Sequence, residues 1–176
     1  MRPCSLLVPI TALLCLISCE SNDAEISKTV DSYQYSSDSF FPMAIGNYWR
    51  IDDQNFMEIR GTILIQGVLY YEVYSLIGGD GSLTEYLRID NENNLIQRSP
   101  LNLPWNYVKA KFDASTGDTF FTLGDSSYND LKVTTLSKIG DRTSFEYQMI
   151  YHPILSGKHT IEYKRGFGPI GSWKEV

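Results

Sequence analysis

Asp90, Glu92 and Asn94 stand at the first, third and fifth positions of a calcium-loop pattern. An EF-hand loop then needs glycine at the sixth position and a bidentate glutamate at the twelfth. Here those positions are Leu95 and Leu101, so the acidic triplet reads as a hairpin turn instead. His152 and His159 are the only two imidazoles, and the short connection between them would let them face each other. Neither has a cysteine or close carboxylate in zinc-site spacing. Gly166, Gly168 and Gly171 spell a dinucleotide fingerprint, but that motif needs a following helix N-terminus to hold a pyrophosphate. The chain ends at Val176, five residues after Gly171. No Gly-x-Ser-x-Gly elbow, Walker loop or His-Glu-x-x-His is present, which removes the commonest hydrolase and nucleotide signatures. No metal and no cofactor is therefore expected. A carboxylate pair could still assemble in space from the 21 acidic residues, as in a glycan hydrolase.

Aromatic side chains are the one surplus. All 12 Tyr, 8 Phe and 3 Trp lie beyond residue 19. Tyr70, Tyr71, Tyr74 and Trp105 are the candidate ligand-binding residues. Tyr70 and Tyr71 are neighbours in an expected strand, so they face opposite sides. Either Tyr70 with Tyr74, or Tyr71, is therefore off the core. Cross-strand pairing is one use for such rings. An aromatic surface or cavity for a sugar or apolar ligand is the other.

The chain carries a formal charge of −6. Nucleic-acid binding needs clustered Lys and Arg that release phosphate counterions, so that class is excluded. Residues 3 to 18 hold no charge. The apolar run Leu6 to Ile17 is shorter than the roughly 20 residues that span a bilayer, and it reads as a signal peptide. Its end, Leu16-Ile17-Ser18-Cys19, resembles the bacterial lipobox. That resemblance implies a diacylglyceryl group on the Cys19 thiol, cleavage before Cys19 and acylation of the new amino group. Cys15 follows two leucines and fits the small-residue site poorly, and Cys4 lies in the n-region. An uncleaved or conventionally cleaved signal, with Cys19 incidental, is the alternative. After removal of residues 1–18 no free thiol remains, so disulfides, thiolate metal sites and Cys nucleophiles are excluded from the soluble part.

Residues 19–39 then form a lipidated cysteine and a tether. Glu20, Ser21, Asn22, Asp23, Ala24 and Glu25 cannot bury apolar surface, so disorder is expected. This acidic start also resembles the surface-export signals of Bacteroidota lipoproteins. The expected location is the bacterial cell envelope, on the outer membrane, facing either periplasm or surface.

Residues 40–176 form the expected folded domain. No window repeats apolar residues at helical spacing, while period-two alternation is frequent. Phe145, Tyr147, Met149 and Tyr151 share one face of a strand. Leu131, Val133, Thr135 and Ile139 alternate with Lys132, Thr134 and Lys138. Gln66-Gly67 marks a tight hairpin turn between segments 59–65 and 68–77. Further strands are expected at 83–90, 95–98, 105–112, 119–123, 130–139, 144–152, 160–167 and 170–175. Roughly ten short strands joined by turns predict an all-β antiparallel meander forming a curved sheet, sandwich or incomplete barrel.

The domain opens with Phe41-Pro42-Met43-Ala44-Ile45-Gly46-Asn47-Tyr48-Trp49. This resembles the opening of a broad set of uncharacterised, Bacteroidota-type lipoproteins. Gly67 to Tyr70, Gly117-Asp118-Thr119-Phe120 and Gly166-Phe167-Gly168-Pro169-Ile170 resemble their later marks in the same order. The resemblance implies an extended antiparallel β-fold on a lipid anchor, with no activity assigned to the family as a whole. Trp49 and Trp173 are expected to pack rather than bind.

The functional expectation is a lipid-anchored, non-enzymatic binding or structural module, held to the membrane through Cys19, with a glycan, protein or apolar ligand as partner. A lipocalin-like carrier or chaperone for an apolar molecule is the alternative, and a carboxylate-based glycan hydrolase is third. A closed, dry cavity of several hundred Å³ favours the carrier. A filled core with an exposed aromatic patch favours the binding module.

Overall fold

A computed structural model describes residues 37–77, 81–99, 105–124, 131–149 and 157–175. Cys19, the tether to residue 36 and His152 lie outside the described residues. Alternating apolar and polar residues, punctuated by turns, give an all-β fold of eleven strands in two antiparallel sheets. The first sheet is a curled half-barrel of six strands: β1 (Tyr48–Arg50), β2 (Phe56–Ile65), β3 (Val68–Ile77), β4 (Gly81–Ile89), β5 (Asn94–Arg98) and β6 (Asn106–Lys111). The second holds β7 (Thr119–Phe121), β8 (Leu131–Ile139), β9 (Arg142–Met149), β10 (Lys158–Lys164) and β11 (Gly168–Glu175). Within each sheet every strand pairs with its sequence neighbour, as short turns between consecutive strands require.

The half-barrel and the second sheet share one core. Ile59, Val73, Leu87 and Leu95 from the first meet Val133, Phe145, Ile161 and Tyr163 from the second. On one side the sheets remain hydrogen-bonded, because Val108 N–H donates to the Thr122 carbonyl at 2.8 Å and Thr122 N–H to the Leu131 carbonyl at 3.1 Å. On the other side Trp49 of β1 spans the gap, its indole N–H donating to the Phe167 carbonyl just before β11.

Phe40, Phe41 and Met43 precede the first strand yet are buried to 1%, 1% and 0% exposure. They fill the interior like a stopper. Phe40 stacks on Phe112 with ring centroids 5.0 Å apart, and Phe112 meets Tyr163 edge-on at 5.2 Å. The β10–β11 turn holds this segment from outside. Gly166 N–H donates to the Ser39 carbonyl at 2.8 Å, and the Arg165 guanidinium lies 4.4 Å over the Phe40 ring. Ser39 is itself buried, so the folded domain includes it.

Most expected strands are observed within a few residues of their predicted ends. β1 was not expected, since three residues are too short to show alternation. A second departure is in β8. Thr135 pairs with Phe145 and Ser137 with Ser144, leaving Leu136 as an extra residue. Such a bulge moves every later side chain to the other face. Lys138 therefore takes the face of its partner Thr143 and, though exposed, donates to the Phe112 carbonyl at 2.8 Å, while Ile139 is 75% exposed, contrary to the sequence expectation. Met149, which pairs with Leu131 at the very start of β8, is also exposed.

The acidic triplet Asp90, Glu92 and Asn94 forms the β4–β5 turn. Asp90 Oδ1 accepts from the backbone N–H of Glu92 at 3.0 Å and of Asn94 at 2.8 Å, satisfying the turn internally. Among the described residues no group of three His, Cys, Asp or Glu is placed to hold a metal. His159 stacks on Tyr147, ring centroids 4.9 Å apart.

Candidate functional site

Strand alternation decides the tyrosine question. Tyr71 points inward with Val73 and belongs to the core cluster. Tyr70 and Tyr74 therefore lie on the outer face of β3. Tyr70 is nevertheless buried at 3% exposure, with the Arg88 guanidinium 5.7 Å from its ring centroid and its hydroxyl within 3.5 Å of Asn106 Oδ1. Tyr74 remains half-buried. Trp105 is 47% exposed but precedes β6, three strands from β3 in the sheet order. The structure does not bring the four candidates together.

It brings Tyr74 together with two other rings. Glu58 of β2 pairs with Tyr48 on one side and Tyr74 on the other, which places all three on the outer face. Phe56, two residues earlier, shares that face. Its ring lies 5.3 Å from Tyr48 and 5.9 Å from Tyr74. A bulge at Arg60, between the Ile59–Val73 and Gly61–Glu72 pairs, re-aims that side chain. Its guanidinium stacks 3.4 Å over the Tyr74 ring. Tyr48, at 55% exposure, is the open end of this aromatic ladder.

The ladder borders an open groove of about 580 Å³ lined by Tyr48, Arg50, Asp52, Asn55, Phe56 and Leu76. The β1–β2 turn supplies its polar wall. Asp52 Oδ1 accepts from the backbone N–H of Gln54 and of Asn55, both at 2.8 Å. The Asn55 side-chain amide, followed by those two N–H groups, holds the Asp52 carboxyl below the usual aspartate range. Arg50 pairs with Asp53 at 2.6 Å, but both are exposed and such pairs contribute little to stability. They remain available to a ligand.

A second pocket of about 260 Å³ lies between the sheets and opens at its edge beside the exposed Leu83. Phe41, Met57, Leu87, Leu95 and Ile161 form most of its wall. Its polar part is an ion pair, Lys109 Nζ to Glu85 Oε1 at 2.5 Å, with side-chain exposures of 24% and 10%. Lys109 reaches it because of a third bulge: Leu95 pairs with Ala110 and Ile96 with Val108, leaving Lys109 as the extra residue. Tyr147 donates to the Lys109 carbonyl at 2.7 Å. A hydrogen bond also joins its phenol to that of Tyr163. Burial pushes both phenols well above the usual tyrosine range, and the nearby Glu85 charge adds to this for Tyr163. Both are neutral at any physiological pH.

Sequence reasoning missed Tyr48, Phe56, Arg60, Glu85 and Lys109. Register and bulges unite them, and neither is visible in local spacing. Comparison with protein-family models, curated proteins and solved structures returns no match for this chain.

Proposed function

We propose that this protein is a lipid-anchored, non-enzymatic binding module of the bacterial cell envelope, and that its outer aromatic groove takes a glycan. The observation that carries the reading is the ladder of Tyr48, Phe56 and Tyr74 beside the polar turn Asp52 to Asn55. Sugar rings present C–H faces that stack on aromatic rings and a rim of hydroxyls that needs donors and acceptors. The groove has both kinds of wall. Lipid attachment at Cys19 rests on the lipobox-like sequence Leu16-Ile17-Ser18-Cys19.

The carrier reading receives less support. The interior is largely filled by Phe40, Phe41, Phe112 and Phe145, and the pocket of about 260 Å³ between the sheets carries an ion pair on its wall. An acyl chain asks for a larger, dry space.

Titration of the full chain with neutral oligosaccharides, followed by amide NMR shifts, tests the glycan reading. The expected result is shifts confined to β1, β2 and β3, with binding weakened about tenfold by Tyr48→Ala, the loss of the exposed stacking ring, and unchanged by Trp105→Ala. Shifts elsewhere, or no binding to any oligosaccharide, would count against it. For the anchor, Cys19→Ala should release the protein from the membrane fraction; retention there would remove lipidation from the proposal.

A further inference from the structure

The pocket between the sheets has a wall unlike that of the outer groove. Its lining is apolar apart from Ser75, Tyr163 and the Glu85–Lys109 pair. Lys109 Nζ has three protons and gives one to Glu85 Oε1. No other hydrogen bond of either charged group is formed among the described residues. A carboxylate oxygen and two ammonium protons thus face a space bounded by Met57, Leu87, Leu95 and Ile161.

We infer that this cavity is a binding site for a small zwitterion with an apolar body, that is, a free apolar α-amino acid. The wall carries one charge of each sign, adjacent and net neutral. A ligand with only a carboxylate satisfies Lys109 and places a like charge beside Glu85. A ligand with only an ammonium does the reverse. Either leaves one uncompensated charge in a half-buried site, which is costly. An α-amino acid brings both charges on neighbouring atoms, so its ammonium meets Glu85 and its carboxylate meets Lys109. Size agrees as well, since a cavity of about 150 Å³ already accepts benzene and this one is about 260 Å³. That volume holds a side chain the size of leucine, methionine or phenylalanine and excludes a long acyl chain. The Tyr147 phenol helps keep the pair in place, because it fixes the Lys109 backbone.

The bulge at Lys109 is part of the same argument. It adds one residue to β6 and so delivers a lysine to the inner face. A bulge that re-aims a side chain is a recurrent feature beside binding sites. The site is independent of the outer groove, so failure of either reading leaves the other standing.

The test is calorimetric and NMR titration of the full chain with L-leucine, L-methionine and L-phenylalanine, against isocaproate and isoamylamine. These two are leucine without its ammonium and leucine without its carboxylate. The expected result is binding of at least one amino acid, tighter by about tenfold or more than either single-charge analogue. Side-chain methyl shifts should fall on Met57, Leu87, Leu95 and Ile161. Ser75→Leu projects an isobutyl group into the cavity and should abolish binding while leaving the amide spectrum folded. If that variant fails to fold, the methyl shifts of the unaltered chain still locate the ligand. Equal binding of isocaproate or isoamylamine would overturn the inference, as would shifts at other residues. So would the absence of binding by all three amino acids at millimolar concentration.

Discussion

The indole of Trp49 lies directly over Gly168, so that a Cβ on that glycine would come within 2.5 Å of Trp49 Nε1. The same nitrogen donates to the carbonyl of Phe167, 118 residues after it in sequence. The contact joins β1 to the turn before β11, where the two sheets are not otherwise paired. It also gives the opening aromatic motif and the closing glycine motif one shared physical reason: the indole needs a residue without a side chain beneath it.

Gly168→Ala should therefore destabilise the domain by about 2 to 4 kcal/mol, from a left-handed backbone and a steric clash together. Gly168 has φ +93°. Chemical denaturation of the variant measures this, and a change below about 1 kcal/mol would show that the indole moves aside at little cost.

Phe40, Phe41 and Met43 belong to the folded core although no strand contains them. Losing three such side chains costs about 8 kcal/mol or more, comparable to the whole stability of a domain. A chain beginning at Ala44 should lack the β-sheet circular dichroism spectrum and amide dispersion that a chain beginning at Ser37 retains. A well-dispersed spectrum from the shorter chain would disprove the stopper role.

Gln66 and Gly67 both have positive φ, 54° and 80°, the geometry of a two-residue type I′ hairpin turn. Glutamine tolerates that region poorly, whereas asparagine is favoured there. Gln66→Asn should raise stability by about 0.5 to 1 kcal/mol. An unchanged or lowered midpoint of urea unfolding would contradict this.

Tyr147 and Tyr163 have folded-state proton affinities raised above the ordinary phenol value of 10.0. The folded state therefore binds these protons more tightly than the unfolded state. Their contribution to stability is complete below pH about 10 and declines as pH rises toward the folded values. Ring-carbon NMR signals of both residues should remain those of the neutral phenol until the domain unfolds in alkali. Reversible ionisation of either one in the folded protein near pH 10 would refute it.

The Glu85–Lys109 pair predicts a contrast between single and double replacement. Glu85→Gln alone leaves the lysine charge in a largely apolar wall and should cost about 3 kcal/mol. Replacing both, with Glu85→Gln and Lys109→Met, should recover most of that loss. Stability of the double variant below that of the single would show that the pair is itself strongly stabilising.

Alternation in the sequence determined the all-β class, the antiparallel order of neighbouring strands and most turns. These are local properties: side-chain period, glycine conformation and proline's missing donor are set within a few residues. It also showed that Tyr70 and Tyr71 oppose each other, but not which one faces the core. Tertiary structure decided that, by burying Tyr71 with Val73. The bulges at Arg60, Lys109 and Leu136 were equally out of reach, because an extra residue is defined only by what the partner strand leaves unpaired. Each bulge changes which side chains share a face. The aromatic ladder, the inward lysine beside Glu85 and the exposed Ile139 all follow from register, and register belongs to pairs of strands rather than to any one of them.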